Sequence, residues 1–210
     1  MCIRDRNTII GFDFSINKPA ACLYQNGKYT FYSWPFDLSD KIKKIYRDAG
    51  INLIDREDKK YKGKDSSEKM RWEVSNSMYL SDLIITSLPD GDMKRWQIVF
   101  EGLSFNSSGN MGIQLGGYKY MLMRDLFDNC IPFENMTTYA PITIKKTAGC
   151  SEKGKTKKDM IDAFIRTSCP FAQTIFSNPS LFQKKTGTWI DHLDDLVDAY
   201  WAVQTYLEKN

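Results

Sequence analysis

The side chains best suited to chemistry in this sequence are carboxylates at three separate places. Asp13 ends an apolar run that is typical of a strand, and Glu101 ends a second such run. Asp194, Asp195 and Asp198 lie close together at the start of the last helical pattern. Taken singly, each acid has an ordinary explanation, such as turn chemistry or a solvated helix face. Taken together, oxygen ligands from two strands and one helix are what hard cations prefer, so the sequence predicts a Mg²⁺ or Mn²⁺ site.

Histidine and cysteine contribute little to this chemistry. The 210 residues contain one histidine, His192, and five cysteines that never form a C-x-x-C pair, which removes most zinc sites. An odd number of scattered cysteines is typical of reduced thiols in the cytoplasm. No apolar run approaches the ~18 residues of a membrane span, and no cleavable leader opens the chain. We therefore expect a cytoplasmic protein, bacterial or in a phage-infected host, with no membrane partner.

The elements that must position the carboxylates form a mixed α/β pattern. Apolar and β-branched runs at 7–14, 20–24 and 29–34 predict an antiparallel meander of three strands, with a turn at 25–28. The periodicity of the remaining chain predicts strands at 97–101 and 137–144 and helices at 68–88, 115–127, 157–167 and 190–207. Later strands that alternate with helices favour a layered α/β fold.

The chain is expected to be a single domain spanning residues 7–207. Residues 1–6 carry no periodicity and are interpreted as a disordered or non-native leader. The segment 39–67 is interpreted as a basic insertion, because residues 41–71 hold eleven basic and six acidic side chains. Residues 141–170 hold seven basic and three acidic side chains, which predicts a second basic surface.

The order and spacing of these features are similar to those of a known family. The matching residues are Gly11-Phe12-Asp13-Phe14-Ser15, Glu101, Leu115-Gly116, Ile144-Lys145, Gly149, Lys157-Lys158-Asp159-Met160 and Asp195-Leu-Val-Asp198-Ala199. Together they resemble the RuvC-like Holliday junction resolvases of the RNase H-like superfamily, and the insertion at 39–67 resembles a phage-type member. The resemblance implies an RNase H-like fold with a mixed five-stranded sheet, its first three strands antiparallel, flanked by helices.

The resemblance also implies a metal-dependent endodeoxyribonuclease that resolves four-way (Holliday) DNA junctions. Paired phosphodiester hydrolysis would leave 5′-phosphate and 3′-hydroxyl ends, with two Mg²⁺ ions per active site that Mn²⁺ can replace. Asp13 would bridge both ions, while Glu101 and Asp198 would complete one site each. Asp195 would be a ligand or would orient water. Asp194 would contact the ligand side chains without binding the metal itself. His192 would either do the same or face the DNA.

The implied partners are branched DNA and a second copy of the chain. A four-way junction has two-fold symmetry, so paired nicks need two active sites and imply a homodimer. The helix at 118–127 is the expected dimer interface. Phe105 is the nearest candidate for an aromatic residue that reaches into the junction. Phosphate contacts are expected from Lys145, Lys146, Lys153, Lys155, Lys157 and Lys158.

Three other functions use parts of the same pattern. A different RNase H-like nuclease, acting on RNA–DNA hybrids or other branched DNA, would use the same acids. The segment Gly11-Phe12-Asp13-Phe14-Ser15 also resembles the first phosphate-binding segment of actin-like ATPases and sugar kinases, but 210 residues cannot hold the two domains that those proteins need. A non-catalytic DNA-binding module would bind DNA without nicking it in the presence of Mg²⁺.

Overall fold

A computed structural model describes residues 8–58, 60–102 and 110–210 of the chain. One sheet with the strand order β4-β3-β2-β1-β5-β6 forms its centre. The strands are β1 (Ile9–Asp13), β2 (Ala20–Gln25), β3 (Lys28–Ser33), β4 (Asn52–Leu53), β5 (Gln97–Glu101) and β6 (Met136–Tyr139). The leader at 1–6 and Phe105 lie outside the described residues.

The strand directions confirm the mixed α/β class and the antiparallel meander. β1, β2 and β3 pair antiparallel, whereas β5 runs parallel to β1 and β6 runs parallel to β5. The expected count of five strands is wrong by one. The additional strand is β4, which comes from the segment 39–67 and pairs parallel to β3 through only two residues. So short a pairing has no periodicity that a sequence could show.

Helices cover both faces of the sheet. They are α1 (Asp40–Asp48), α2 (Ser66–Ser87), α3 (Asn110–Asp128), α4 (Pro141–Thr147), α5 (Lys157–Ile165), α6 (Pro170–Ser177) and α7 (Leu193–Lys209). The predicted strand at 137–144 is partly wrong, because β6 ends at Tyr139 and α4 begins at Pro141. Proline suits the first turn of a helix, and burial of Ile144 against α7 outweighs the strand preference of its β-branched side chain. Within the described parts of the chain, no helix is long and apolar enough to cross a membrane.

The two faces of β1 belong to two different cores. Ile10 and Phe12 are fully buried with side chains of α2 and α3 on one face, whereas Ile9 packs with α7 on the other. Gly11 lets α7 lie directly on the strand, because a Cβ atom at Gly11 would stand 2.4 Å from the carbonyl oxygen of Ala199. This close approach brings the acidic start of α7 to the end of β1.

The segment 39–67 is tied to the body of the protein by the buried side chain of Arg56. The Arg56 guanidinium lies 2.5 Å from the Asp58 carboxylate, and the two side chains are 1% and 7% exposed. Arg56 also donates a hydrogen bond of 2.6 Å to the carbonyl oxygen of Ile16, just after the β1 strand. The part of the segment that follows Asp58 therefore starts from a fixed point near the carboxyl end of β1.

Candidate active site

Parallel pairing of β1 and β5 brings Asp13 and Glu101 to the same edge of the sheet. Phe12 pairs with Phe100, and each carboxylate stands one residue further along its strand. Because α7 packs on β1, Asp195 and Asp198 at the start of α7 lie close enough to Asp13 for their charges to affect it. Asp198 is only 9% exposed, so it lies in the interior rather than on a solvated helix face. The structure thus brings together Asp13, Glu101, Asp195 and Asp198, the four acids expected to bind the metal.

The crowding of these acids changes their proton affinities. Burial, followed by the charges of Asp195, Asp198 and Glu101, raises the pKa of Asp13 well above its ordinary value. Burial also raises the pKa of Asp198 to about 7, with Glu101 and Asp194 adding to the effect. Negative charge at this edge of the sheet is therefore in excess of its positive partners, which is the condition under which a divalent cation binds.

Lys157 supplies part of the missing positive charge. Its Nζ atom lies 2.7 Å from Asp194 Oδ2 and 3.5 Å from Asp198 Oδ2. Burial alone would lower the pKa of Lys157, but the charge of Asp198 and the hydrogen bond to Asp194 outweigh burial and raise it. A capping box between Thr156 and Asp159 starts α5 immediately before this lysine and so fixes its position.

His192 is a buried hydrogen-bond partner of Asp195. It is 1% exposed, and its Nδ1 atom hydrogen-bonds to Asp195 Oδ2 at 2.7 Å while its Nε2 atom hydrogen-bonds to the Ser33 hydroxyl. Burial would raise the pKa of Asp195, but the hydrogen bond to His192 and the charges of His192 and Lys157 lower it. The expectation that His192 lies behind the carboxylates fits this geometry, and the alternative that it faces DNA stays a prediction, since His192 is buried but is also among the residues lining the cleft described below.

No pattern in the sequence singles out Lys119, which the structure places beside Glu101. Lys119 is 5% exposed, and its Nζ atom donates a hydrogen bond of 2.9 Å to the carbonyl oxygen of Glu101. The same ammonium group lies 5.0 Å from the centre of the Phe100 ring. Burial lowers its pKa to about 8, and the charge of Glu101 opposes that shift. A lone lysine on an amphipathic helix is normally solvated, so only the tertiary structure could identify this one.

The other predicted lysines are spread over a wider area. Lys145 is close enough to Glu101 to lower its pKa, although burial raises that pKa more strongly. Lys155 pairs with Asp159 at 3.5 Å, on the exposed first turn of α5. Lys146 and Lys153 are also exposed. Of the six predicted lysines, Lys157 and Lys158 line the cleft described next, and the other four are not among its lining residues.

A cleft of about 1200 Å³ borders the carboxylate cluster at Asp194 and Asp195, whereas Asp13, Glu101 and Asp198 are not among its lining residues; we call it the basic cleft. Lys157, Asp194 and Asp195 line the cleft where it meets the cluster, and Lys60, Lys69 and Trp72 are also among its lining residues. Small-molecule sites usually have volumes of ~300–1,000 Å³, so the basic cleft is large enough for part of a polymer.

All of the potential metal ligands here are carboxylate oxygens, the donor type that fits Mg²⁺ or Mn²⁺. In the described parts of the chain, no three carboxylate, imidazole or thiol groups are already arranged as a metal site. In the structure, Lys157 contacts Asp194 and Asp198, and His192 is hydrogen-bonded to Asp195. Metal binding would require Asp198 to turn away from Lys157.

Comparison with known proteins finds similarity only among solved structures. Neither a protein-family model nor a curated protein sequence matches this chain. Thermus thermophilus RuvC is 11% identical, with a TM-score of 0.47 and coverage of 96% of each chain. T. thermophilus RuvC in complex with a Holliday junction substrate is 10% identical, with a TM-score of 0.47 and coverage of 97% of this chain and 96% of that chain. Fowlpox virus resolvase in complex with Holliday junction DNA is 19% identical, with a TM-score of 0.44 and coverage of 96% of this chain and 97% of that chain.

Proposed function

We propose that this protein is a metal-dependent endonuclease that resolves four-way DNA junctions. The observation that carries the proposal is the buried carboxylate cluster at the common end of β1, β5 and α7, which adjoins the basic cleft through Asp195. A structural role would favour pairing every acid with a base. Burial, together with like charges, raises the pKa values of Asp13 and Asp198 even though Lys157 lies 3.5 Å from Asp198.

Each carboxylate has a role that follows from its position. Asp13 is central, since its pKa responds to the charges of Asp195, Asp198 and Glu101, and it is the residue we assign to both metal positions. Glu101 and Asp198 would each complete one position. The two Mg²⁺ ions, when bound, would activate the attacking water and neutralise charge on the phosphate.

The remaining side chains of the site orient these ligands. His192 fixes the carboxylate of Asp195, and Lys119 fixes the main chain of Glu101 through its carbonyl oxygen. Lys157 is placed to release Asp194 and Asp198 to a metal and to pair with a phosphate oxygen of the substrate. Such an exchange keeps the net charge of the site balanced while DNA is bound.

We also propose that the active protein is a homodimer. The expected interface at 118–127 stays a prediction: Tyr118, Leu122 and Leu126 are buried in the core of their own chain, whereas Tyr120 on the same helix is exposed. Apolar side chains that remain exposed on α2 and α3 supply a different face of the same region. They are Met70, Val74, Met78, Ile113 and Tyr120, with exposed fractions of 62%, 51%, 49%, 77% and 65%. Burying them against a second copy would remove a large apolar surface from water.

The proposal is tested by incubating the purified chain with a mobile four-way junction, with and without Mg²⁺. We expect paired nicks only with Mg²⁺, and loss of nicking in Asp13→Asn and Asp198→Asn with junction binding largely retained. Asp82→Asn, on an exposed position of α2, is the matched control and should cut normally. Sedimentation of the same samples should show a dimer bound to each junction.

Three outcomes would contradict the proposal. Cutting at the wild-type rate by either Asp13→Asn or Asp198→Asn would remove these residues from the metal site. Cleavage of a linear RNA–DNA hybrid in preference to the junction would instead support an RNase H-like nuclease with a different substrate. Binding of the junction without Mg²⁺-dependent nicking would indicate a DNA-binding module.

A further inference from the structure

Two aromatic side chains that line the basic cleft, Tyr61 and Trp72, form what we call its aromatic wall. Tyr61 comes from the segment 39–67, and Trp72 comes from the second turn of α2. Their ring centres are 6.2 Å apart and the ring planes are inclined by 36°. Neither ring belongs to the carboxylate cluster, and both are only partly buried. Aromatic surface that lines a basic cleft in this way is available to a planar ligand.

Local contacts fix the position of Tyr61. Its hydroxyl donates a hydrogen bond of 2.9 Å to the carbonyl oxygen of Asp65, whose carboxylate in turn caps the first turn of α2 through the Glu68 amide at 2.8 Å. Gly63 leaves room for the ring, since a Cβ atom there would stand 2.2 Å from the Tyr61 hydroxyl oxygen. The aromatic wall is therefore a built feature of α2 and the turn that precedes it.

Lysines flank the two rings. Lys60 pairs with Asp37, and Lys69 lies 3.5 Å from Glu73. The side chains of both lysines are more than half exposed, so these ion pairs are weak and can be exchanged for contacts with phosphates. Trp189 lines the same cleft. The surface thus combines aromatic faces with exposed lysine ammonium groups, the combination that proteins use to bind single-stranded nucleic acid.

We propose that this aromatic wall binds an unpaired stretch of DNA, with bases stacked on Trp72 and Tyr61 and phosphates paired with Lys60 and Lys69. Bases in a duplex are already stacked on both faces, so an aromatic ring gains this contact only with unpaired nucleotides. The inference rests on the proposed function and deepens it, because it states which part of a branched substrate enters the cleft: nucleotides that are unpaired at the branch point.

The test measures binding of a fluorescein-labelled oligothymidylate of about ten nucleotides in EDTA, by fluorescence anisotropy. Trp72→Ala should weaken binding of this strand about tenfold, whereas Trp72→Phe, which keeps a stacking surface, should stay within about threefold of wild type. Binding of a linear duplex should change little in either variant. Phe176→Ala removes an aromatic side chain that is 67% exposed and does not line the cleft, and it should bind like wild type.

The inference would be overturned if wild type and Trp72→Ala bound the single strand with equal affinity. It would also be overturned if Trp72→Ala lost the same factor of affinity for the single strand and for the duplex. Tyr61→Leu provides a second variant at the same wall if Trp72→Ala does not fold. The assay needs no metal and no cutting. A chain that loses strand binding in Trp72→Ala but never nicks junctions would keep this inference and refute the proposed function.

Discussion

Replacing Asp198 by asparagine should stabilise the metal-free protein while removing its activity. Asparagine keeps nearly the same shape as the carboxylate but cannot ionise. Asp198 is 9% exposed and lies near Asp13, Glu101 and Asp195, so its charge is unfavourable in the folded chain. Lys157 retains a partner in the variant, because its Nζ atom still lies 2.7 Å from Asp194.

The size and the sign of the effect follow from the pKa of Asp198. Burial raises that pKa from 3.8 to about 7 in the folded state. A folded pKa above the unfolded value means that ionisation opposes folding. The free-energy cost of ionising Asp198 in the folded state is absent below pH ~4, grows as the pH rises to ~7 and is constant above that. At ~1.4 kcal/mol per pKa unit, the penalty at pH 8 is about 4 kcal/mol, or roughly 10 °C in Tm for a chain of this size.

Thermal unfolding in EDTA at pH 4 and pH 8 checks this reasoning. The gain in Tm of Asp198→Asn over wild type should be near zero at pH 4 and largest at pH 8. Asp82→Asn, at an exposed position, should show no gain at either pH. Addition of Mg²⁺ should raise the Tm of wild type at pH 8 and close most of the difference. An Asp198→Asn protein that is less stable than wild type at pH 8 would refute the electrostatic account.

Two further predictions concern residues that position the site. Gly11→Ala should lower the free energy of unfolding by about 3 kcal/mol in urea denaturation, because the new methyl group meets the carbonyl oxygen of Ala199; a loss below ~0.5 kcal/mol would show that α7 can shift without cost. His192→Asn keeps a residue type that tolerates the positive φ of 77° at this position, but it removes the imidazole that hydrogen-bonds to Asp195. The affinity for Mg²⁺, measured by isothermal titration calorimetry, should therefore fall by about 10–100-fold. Unchanged affinity would mean that Asp195 is oriented without the imidazole.

Elements with strong periodicity were predictable, and short ones were not. The meander and the four long helical patterns correspond to strands and helices of the structure, with ends that differ by a few residues. The sequence did not predict α4 or α6, which have seven and eight residues and begin with Pro141 and Pro170. Two turns of helix give too little periodicity to distinguish them from a strand or a loop.

The sequence by itself determined which acids could bind a metal and where they stand on their elements. Asp13 and Glu101 end apolar runs, and Asp195 and Asp198 lie one turn apart, and these facts depend only on local order. The surroundings of the acids were decided by the tertiary structure, because the contacts join residues far apart in the chain. His192 meets Ser33 across 159 positions, and Lys119 reaches Glu101 across 18. Burial, proton affinity and the aromatic wall of the cleft all arise from such contacts, which no local pattern encodes.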